Sequence, residues 1–238
     1  MTSRQFIAFA ALLISTFVHA QAQKMPNASV QVNHIGSDFS VSELDNAVWK
    51  KASEVEVATY WSGETAPAGR RFRVRLLWSE SALYARFEAA QTEPLVVSEK
   101  PDLRRKTMNL WDRDVCEIFI APDKAAPNKY FEFEVAPTGE WIDIGVEVTP
   151  EKRTSDWDYA SGMKAAASIR KDRVVMAIKV EWKALGKKPA AGDVWLGNLF
   201  RCVGNDPDRG YLAWRPTGTS SPAFHVPEAF GEFVFRRP

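Results

Sequence analysis

The chain has 238 residues, of which 45% are hydrophobic and 26% are charged. This balance excludes an intrinsically disordered chain, and the length allows one domain with a sizeable core. The 31 basic and 30 acidic residues leave a net charge of +1, and the basic residues form no run longer than a few positions. Nucleic acids and anionic membrane surfaces are therefore not expected as partners.

The N-terminus has the pattern of a secretory signal peptide. Arg4 lies in a short polar start, an apolar run follows, and the small residues Ala20 and Ala22 provide cleavage positions. We therefore predict a signal peptide over 1–22 and a single domain over 23–238, in a secreted or periplasmic protein. The apolar run is short for a membrane span, so a soluble, monomeric product is expected, with a retained N-terminal anchor as the alternative.

Short alternating apolar segments follow one another along the rest of the chain. Gly, Pro, Asn and Asp clusters separate them, which is typical of antiparallel strands. The predicted strands are 30–34, 55–60, 72–78, 83–88, 114–120, 130–135, 140–148, 163–170, 173–180, 195–203, 211–214 and 232–235. A short surface helix is predicted over 42–52, with Ser42 as its cap and Trp49 near the core, and a helical turn over 182–186. Three long loops are predicted over 91–109, 149–162 and 215–230.

This order of elements predicts an all-β fold. We expect a single antiparallel two-sheet β-sandwich of jelly-roll character, with one or two short helices. The immunoglobulin topology is a weaker alternative because its Cys-Trp-Cys spacing is absent.

The segment 109–123 places a tryptophan and acidic residues at the start of an apolar strand. Residues two apart on a strand share a face, so Glu117 is expected on the same face as Val115 and Phe119. A carboxylate among apolar neighbours needs a partner or a ligand. Glu117 is therefore a candidate binding residue, with Trp111 beside it.

Two further strands carry charges in apolar surroundings. Glu132 and Glu134 alternate with phenylalanines and fall on one face of their strand, while Arg201 is the one charge in an otherwise apolar strand. A polar concave face is expected to gather Glu117, Glu134 and Arg201. The alternative is that these charges pair with one another on a solvated sheet face and bind nothing.

The run N-L-W-D-R-D-V-C-E-I-F-I from position 109 resembles the core motif of carbohydrate-binding module family 9 and its DOMON-related relatives. The resemblance implies a non-catalytic sugar-binding β-sandwich in which two aromatic rings hold a sugar. Trp111 matches the first ring, and Phe224 stands where the family has a second tryptophan. Glu117 matches the acidic ligand, and Glu134 and Arg201 occupy further polar positions. Aromatic rings pack on sugar C–H faces, and planar polar groups bind hydroxyl pairs.

The loops supply additional candidates. His225 follows Phe224 and is expected either to bind a sugar hydroxyl or to pack within its loop. Trp61, Trp111 and Trp157 fall in or beside predicted loops, which is more typical of binding surfaces than of a core.

Metal and cysteine chemistry leave open alternatives. Asp112 and Asp114 precede the strand in a turn and are expected either to shape that turn or to bind calcium, as the family resemblance implies. Cys116 and Cys202 lie in predicted strands and either form a disulfide or serve as small core residues.

Two other function classes remain as alternatives. Related sandwiches include exported b-type haem carriers, and Met108 and His225 are the candidate axial ligands here. A ligand-free protein-interaction module is the third reading. Catalysis is not expected, because the chain contains no Ser-His-Asp order, phosphate loop or zinc motif, and Asp114 is predicted to face away from Glu117.

Overall fold

The computed structural model describes residues 28–237, so the predicted signal peptide over 1–22 lies outside the described residues. Strands dominate this range, which confirms the all-β prediction. The thirteen strands described are β1 (Ser29–His34), β2 (Glu54–Val57), β3 (Phe72–Trp78), β4 (Ala82–Ala90), β5 (Val115–Ala121), β6 (Lys129–Val135), β7 (Trp141–Val148), β8 (Arg153–Asp156), β9 (Lys164–Ile169), β10 (Arg173–Glu181), β11 (Val194–Val203), β12 (Gly210–Ala213) and β13 (Gly231–Arg236).

Hydrogen bonds link these strands into one curled, mixed sheet. The order along the sheet is β8-β7-β6-β5-β11-β13-β1-β3-β4-β10-β9, with β12 paired to β11 and β2 paired to β3. β1 runs parallel to both β13 and β3, so the prediction of purely antiparallel pairing is wrong at this strand. The structure does not confirm two separate sheets or a jelly roll, because β1 inserts between the last strand and β3 and joins the two halves.

The curled sheet folds over a large inner core. β6 contacts β9 and β10 across this core, so the two halves of the sheet pack face to face. Apolar residues at alternate positions of β5, β6 and β11 face inward, including Ile118, Phe133 and Leu199. Burial of this apolar surface is the main favourable term in folding.

A second apolar cluster lies on the outer face of the same strands. Residues of β5, β6, β7 and β11 that alternate with the inner set form it, and Phe119, Tyr130 and Phe200 are among its buried members. Loop residues such as Phe224 cover part of this face. β5, β6 and β11 thus carry apolar residues on both faces, and loop residues cover part of the outer face.

Helical structure in the described range is limited to five short 3₁₀ segments. They are Ala47–Lys51, Ala68–Arg70, Leu110–Asp112, Trp182–Leu185 and Pro227–Ala229. The predicted helix over 42–52 is therefore shorter and tighter than expected. Asn46 caps it in place of Ser42, because the Asn46 side chain accepts a hydrogen bond from the Val48 amide. Trp49 is buried, as predicted.

The long loops lie largely where the sequence indicated. No strand or helix of the described chain falls between β4 and the 3₁₀ segment at Leu110. The predicted loop 149–162 instead contains β8, a polar strand that pairs with β7. Among residues 28–237, no helix has the length and apolar character needed to cross a membrane.

Candidate functional site

The outer face of β5 and β6 carries three buried glutamates. Glu117 on β5 lies directly opposite Glu134 on β6, and Glu132 is two residues away on the same face. Their side chains are 2%, 0% and 4% exposed for Glu117, Glu134 and Glu132 respectively. The glutamates therefore lie on the strand faces that the sequence predicts. They are buried, so the alternative of a solvated sheet face is wrong for them.

The three carboxylates are close together and poorly paired. Each offers an oxygen that lies within 4.8 Å of those of the other two. Within the described chain, both oxygens of Glu134 and Oε2 of Glu132 have no hydrogen-bond partner. Oε1 of Glu117 lies 3.6 Å from the Cys202 thiol, which is in position to donate to it. Like charges placed opposite each other on neighbouring strands destabilise a sheet, and so do buried charges without partners. The cluster therefore lowers the free energy of unfolding unless something neutralises it.

Burial raises the pKa of all three carboxyl groups. Loss of solvation is the largest cause for Glu117, Glu132 and Glu134. The charge of Glu132 raises the pKa of Glu117 further, and the charges of Glu117 and Glu132 do the same for Glu134. Perturbation of this kind is typical of functional sites, where charged groups are held for a ligand.

Trp111 stands at the rim above these glutamates. It belongs to the 3₁₀ segment Leu110–Asp112, which is anchored by the buried side chain of Leu110. Arg209 donates one hydrogen bond to the Trp111 carbonyl oxygen at 2.8 Å and another to that of Arg113 at 2.7 Å. The turn that carries the half-buried Trp111 indole is therefore held by the buried Leu110 side chain and by the hydrogen bonds from Arg209.

Trp157 is the nearest aromatic neighbour of Trp111. The two ring centroids are 5.9 Å apart with an interplanar angle of 37°. Trp157 is 42% exposed and follows β8, the strand that the sequence did not predict. The two indoles together form an aromatic rim.

The loop 215–230 closes the opposite side. Phe224 stacks on Phe200 of β11, with centroids 4.1 Å apart and an interplanar angle of 11°. Phe224 is only 9% exposed, so less of its ring is accessible than is expected of an aromatic ring that holds a sugar. Asn198 fixes the start of this loop, because its side chain bonds both the amide and the carbonyl oxygen of Arg215.

His225 reaches the same face from the loop. Its Nδ1 and the Tyr130 hydroxyl are hydrogen-bonded at 2.8 Å, and its Nε2 lies 3.9 Å from Oε2 of Glu132. Burial, with a contribution from the positive charge of Arg153, lowers the pKa of His225 to about 3. The imidazole is therefore neutral at pH 7 and available for hydrogen bonding.

These groups surround an open cavity of about 330 Å³. Aromatic rings, carboxylates and hydroxyls share its wall. The lining residues are Trp111, Asp112, Glu117, Phe119, Glu132, Ile144, Arg153, Ser155, Trp157, Cys202, Tyr211, Pro222, Ala223, Phe224 and His225. Glu134 is not in the wall and lies opposite Glu117 on the neighbouring strand. A partly apolar cavity with a few convergent polar groups is the usual form of a small-ligand site.

Arg201 does not join this cavity, so the expected gathering of Glu117, Glu134 and Arg201 is wrong. Arg201 pairs across the sheet with Cys116, which places it on the inner face. Its guanidinium donates to the carbonyl oxygens of Arg70 at 2.6 Å and Ala90 at 2.7 Å, and to the side-chain oxygen of Gln91 at 2.5 Å. Arg201 is 2% exposed and ties β11 to the ends of β3 and β4.

The two cysteines are free thiols, which resolves the open alternative against a disulfide. Cys116 packs in the inner core, and Cys202 packs in the outer cluster beside Glu117. The sheet lies between them, so no rotamer brings the sulfurs together. Burial raises the pKa of the Cys116 thiol to about 12 and raises that of Cys202 well above its ordinary value.

The other candidate ligands are dispersed. Asp112 is exposed at the cavity wall, whereas Asp114 is buried and accepts hydrogen bonds from the amides of Gly204 at 2.8 Å and Val96 at 3.3 Å. The two aspartates therefore do not converge on one point, and calcium binding at this turn stays a prediction. Met108, the predicted partner of His225 for haem, is 49% exposed and is not part of the cavity wall.

Several cavity residues had no clear signal in the sequence. Arg153 and Ser155 lie on β8, whose polar sequence lacks the alternation of a strand. The sequence places Tyr211 in a strand and Glu132 on the same strand face as Glu134, without marking either as a cavity residue. Arg209, which holds the Trp111 turn, lies in a charged loop far along the chain. Their convergence depends on tertiary contacts.

The comparisons with known proteins agree with this fold. The endo-1,4-beta-xylanase A of Thermotoga neapolitana is 23% identical over 211 residues, which cover 87% of this chain but 18% of that enzyme. The chain thus spans about a fifth of the curated relative that it matches.

Solved structures show the same fold at low identity. A candidate carbohydrate-binding protein from Bacteroides uniformis superposes with a TM-score of 0.69 at 15% identity, covering 88% of this chain and 100% of that one. A family 9 module from Caldicellulosiruptor kristjanssonii gives a TM-score of 0.63 at 16% identity in its complexes with cellotriose and with glucose. Each comparison covers 89% of this chain, and 95% and 97% of the respective module.

The family model described as "Carbohydrate family 9 binding domain-like" matches residues 42–237, which is nearly the whole described range. The chain belongs to the carbohydrate family 9 binding domain-like family.

Proposed function

We propose that this chain is an exported, non-catalytic carbohydrate-binding protein that holds a sugar in the cavity on its outer face. The observation that carries the proposal is the convergence of aromatic rings and buried carboxylates on one open cavity of about 330 Å³. Such a volume is at the lower end of ligand sites, about 300–1,000 Å³, which suits a short or terminal piece of a sugar chain.

The chemistry of the cavity wall fits a sugar ring. Trp111 and Trp157 offer apolar faces for ring C–H groups at the rim, and Phe224 offers a further apolar surface deeper in. Glu117 and Glu132 offer carboxyl oxygens to the hydroxyl groups of the sugar as planar hydrogen-bonding partners. Neutral His225 supplies another polar contact. Glu134 lies outside the cavity wall and does not contact the sugar, and Arg201 supports the fold.

The relatives support gluco- and xylo-oligosaccharides as the first ligands to test. One related module is solved with cellotriose and with glucose, and the curated relative is a xylanase. Because that xylanase is more than five times the matched length, its activity belongs to the whole enzyme. The family's binding modules are the appropriate model for this chain.

Calorimetric titration tests the proposal. The ligands are glucose, xylose, cellotriose, xylotriose and chitotriose, all in a buffer that contains EDTA so that no metal contributes. We expect saturable heat with one molar equivalent of at least one of these sugars, and no new reducing ends after prolonged incubation with cellotriose. Absence of heat with every sugar contradicts carbohydrate binding, and release of reducing ends contradicts a non-catalytic role.

A further inference from the structure

The buried glutamates at the floor of the cavity have a geometry that sugar binding does not require. Oxygens of Glu117, Glu132 and Glu134 lie within 4.8 Å of one another. Calcium binds oxygens at 2.3–2.6 Å, so two oxygens on opposite sides of one ion are about 5 Å apart. The three carboxylates therefore match the spacing of a single coordination sphere without rearrangement of the strands that carry them.

The hydrogen-bonding state of the cluster points independently to a ligand. Glu134 is 0% exposed, and in the part of the chain that the structure describes its oxygens accept no hydrogen bond from any group other than the neighbouring Glu132 carboxyl, which donates only when it carries a proton. Oε2 of Glu132 is buried and unpaired in the same way. A buried carboxylate without a partner costs several kcal/mol or takes up a proton, and buried charges in proteins are usually paired or coordinate a metal.

The neighbouring arginines act on the cluster only from a distance: the charge of Arg209 lowers the pKa of Glu117 and that of Arg153 lowers the pKa of Glu132, but burial outweighs both. Arg153 lies in the cavity wall, and no ion pair joins it to these glutamates among the described residues. Arg209 donates its hydrogen bonds to the carbonyl oxygens of Gly204, Trp111 and Arg113. Arg201 lies on the inner face of the sheet. His225, the nearest basic side chain from the loop, is 3.9 Å from Glu132.

We propose that Glu117, Glu132 and Glu134 bind a divalent cation of the calcium type at the floor of the cavity. The three groups of the cluster are all carboxylates, with the Cys202 thiol 3.6 Å from Glu117 and the His225 imidazole 3.9 Å from Glu132 beside it. Carboxylate oxygens select hard cations, and calcium tolerates irregular oxygen geometry better than magnesium. Glu117 and Glu132 line the cavity, so water reaches the open side of the ion. The ion replaces the repulsion between like charges with attraction. Its binding does not rest on the proposed function, because it needs no sugar.

Thermal unfolding and calorimetry with calcium chloride test this site. The parent protein is first treated with EDTA, dialysed and then titrated with Ca²⁺ alone. We expect saturable binding of one ion and a rise in Tm of about 5–10 °C when Ca²⁺ is 100-fold above its Kd. An unchanged Tm with no heat of binding overturns the proposal and indicates that the carboxyl groups share protons.

Two matched variants locate the ion. Glu134→Gln keeps the side-chain shape and removes one buried charge, so its Tm in EDTA is expected to equal or exceed that of the parent. It is expected to lose most of the Ca²⁺-dependent rise. Glu99→Gln removes an exposed carboxylate and is expected to respond as the parent does. A response that survives in Glu134→Gln places calcium elsewhere, for example at the turn of Asp112 and Asp114, and overturns the proposal.

The two proposals fail separately. Sugar titrations are made in EDTA and calcium titrations are made without sugar, so each result stands alone. Calcium binding without sugar binding leaves the ion site intact and removes the proposed function. Sugar binding without calcium binding supports the proposed function and removes the ion site.

Discussion

Replacing Trp111 with alanine is expected to weaken sugar binding about 30-fold. Truncating a central aromatic in a binding site removes about 2 kcal/mol or more of binding free energy, and 1.4 kcal/mol corresponds to a factor of ten. Trp111 is half-buried in a turn whose backbone is held by Leu110 and Arg209, so the fold is expected to keep its Tm within a few degrees. Calorimetric titration with the best ligand of the parent protein gives the affinity.

Ile169→Ala is the control for this change. Ile169 is a large apolar residue on β9 that is 53% exposed, and it is not part of the cavity wall. Its truncation is expected to leave the sugar affinity unchanged. If Trp111→Ala binds sugar as tightly as Ile169→Ala does, the indole is not a binding surface and the proposed site is wrong.

Replacing Arg201 with methionine is expected to lower the free energy of unfolding by about 3–4 kcal/mol, which corresponds to a fall in Tm of about 10 °C. The change leaves buried carbonyl oxygens of Arg70 and Ala90, and the Gln91 side chain, without their donor. The sugar affinity of the folded protein is expected to stay that of the parent, since Arg201 lies on the inner face. Thermal unfolding and calorimetry below the transition measure the two effects.

Arg104→Met is the matched control. The Arg104 side chain is 90% exposed, and surface substitutions of this kind usually change stability by about 0.5 kcal/mol or less. A loss of sugar affinity in folded Arg201→Met, with a Tm like that of Arg104→Met, would restore the sequence-based view of Arg201 as a hydroxyl ligand.

Glu117 and Glu134 lie on the outer face of the sheet, whereas Arg201 lies on the inner face, and this difference shows what strand patterns determine. Alternation is a local property of one strand. It correctly places Glu117 and Cys116 on different faces of β5, and Glu134 and Phe133 on different faces of β6. It does not determine which face of one strand continues the face of its neighbour. That relation depends on register, and pairing of Arg201 with Cys116 puts the arginine inside.

Other parts of the fold also depended on contacts between distant segments. β1 pairs in parallel with β13, which brings the two ends of the domain together without any connecting turn that the sequence would reveal. β8 forms because β7 provides an edge for its polar residues, and it carries the chain to Trp157. The core motif around Trp111 is recognisable because its spacing is local, and Trp157 is recognisable as a loop tryptophan, but their proximity at 5.9 Å depends on the pairing of β8 with β7.

Indole N–H resonances provide the most direct test of the central claim, that the outer-face cavity holds the sugar. Trp111→Phe and Trp157→Phe assign the two rim signals in ¹⁵N-labelled protein, and cellotriose is then added. We expect these two signals to shift, while those of Trp78, Trp182 and Trp195, which are buried in the inner core, remain in place. Saturable binding of cellotriose with the Trp111 and Trp157 signals unmoved would contradict the account.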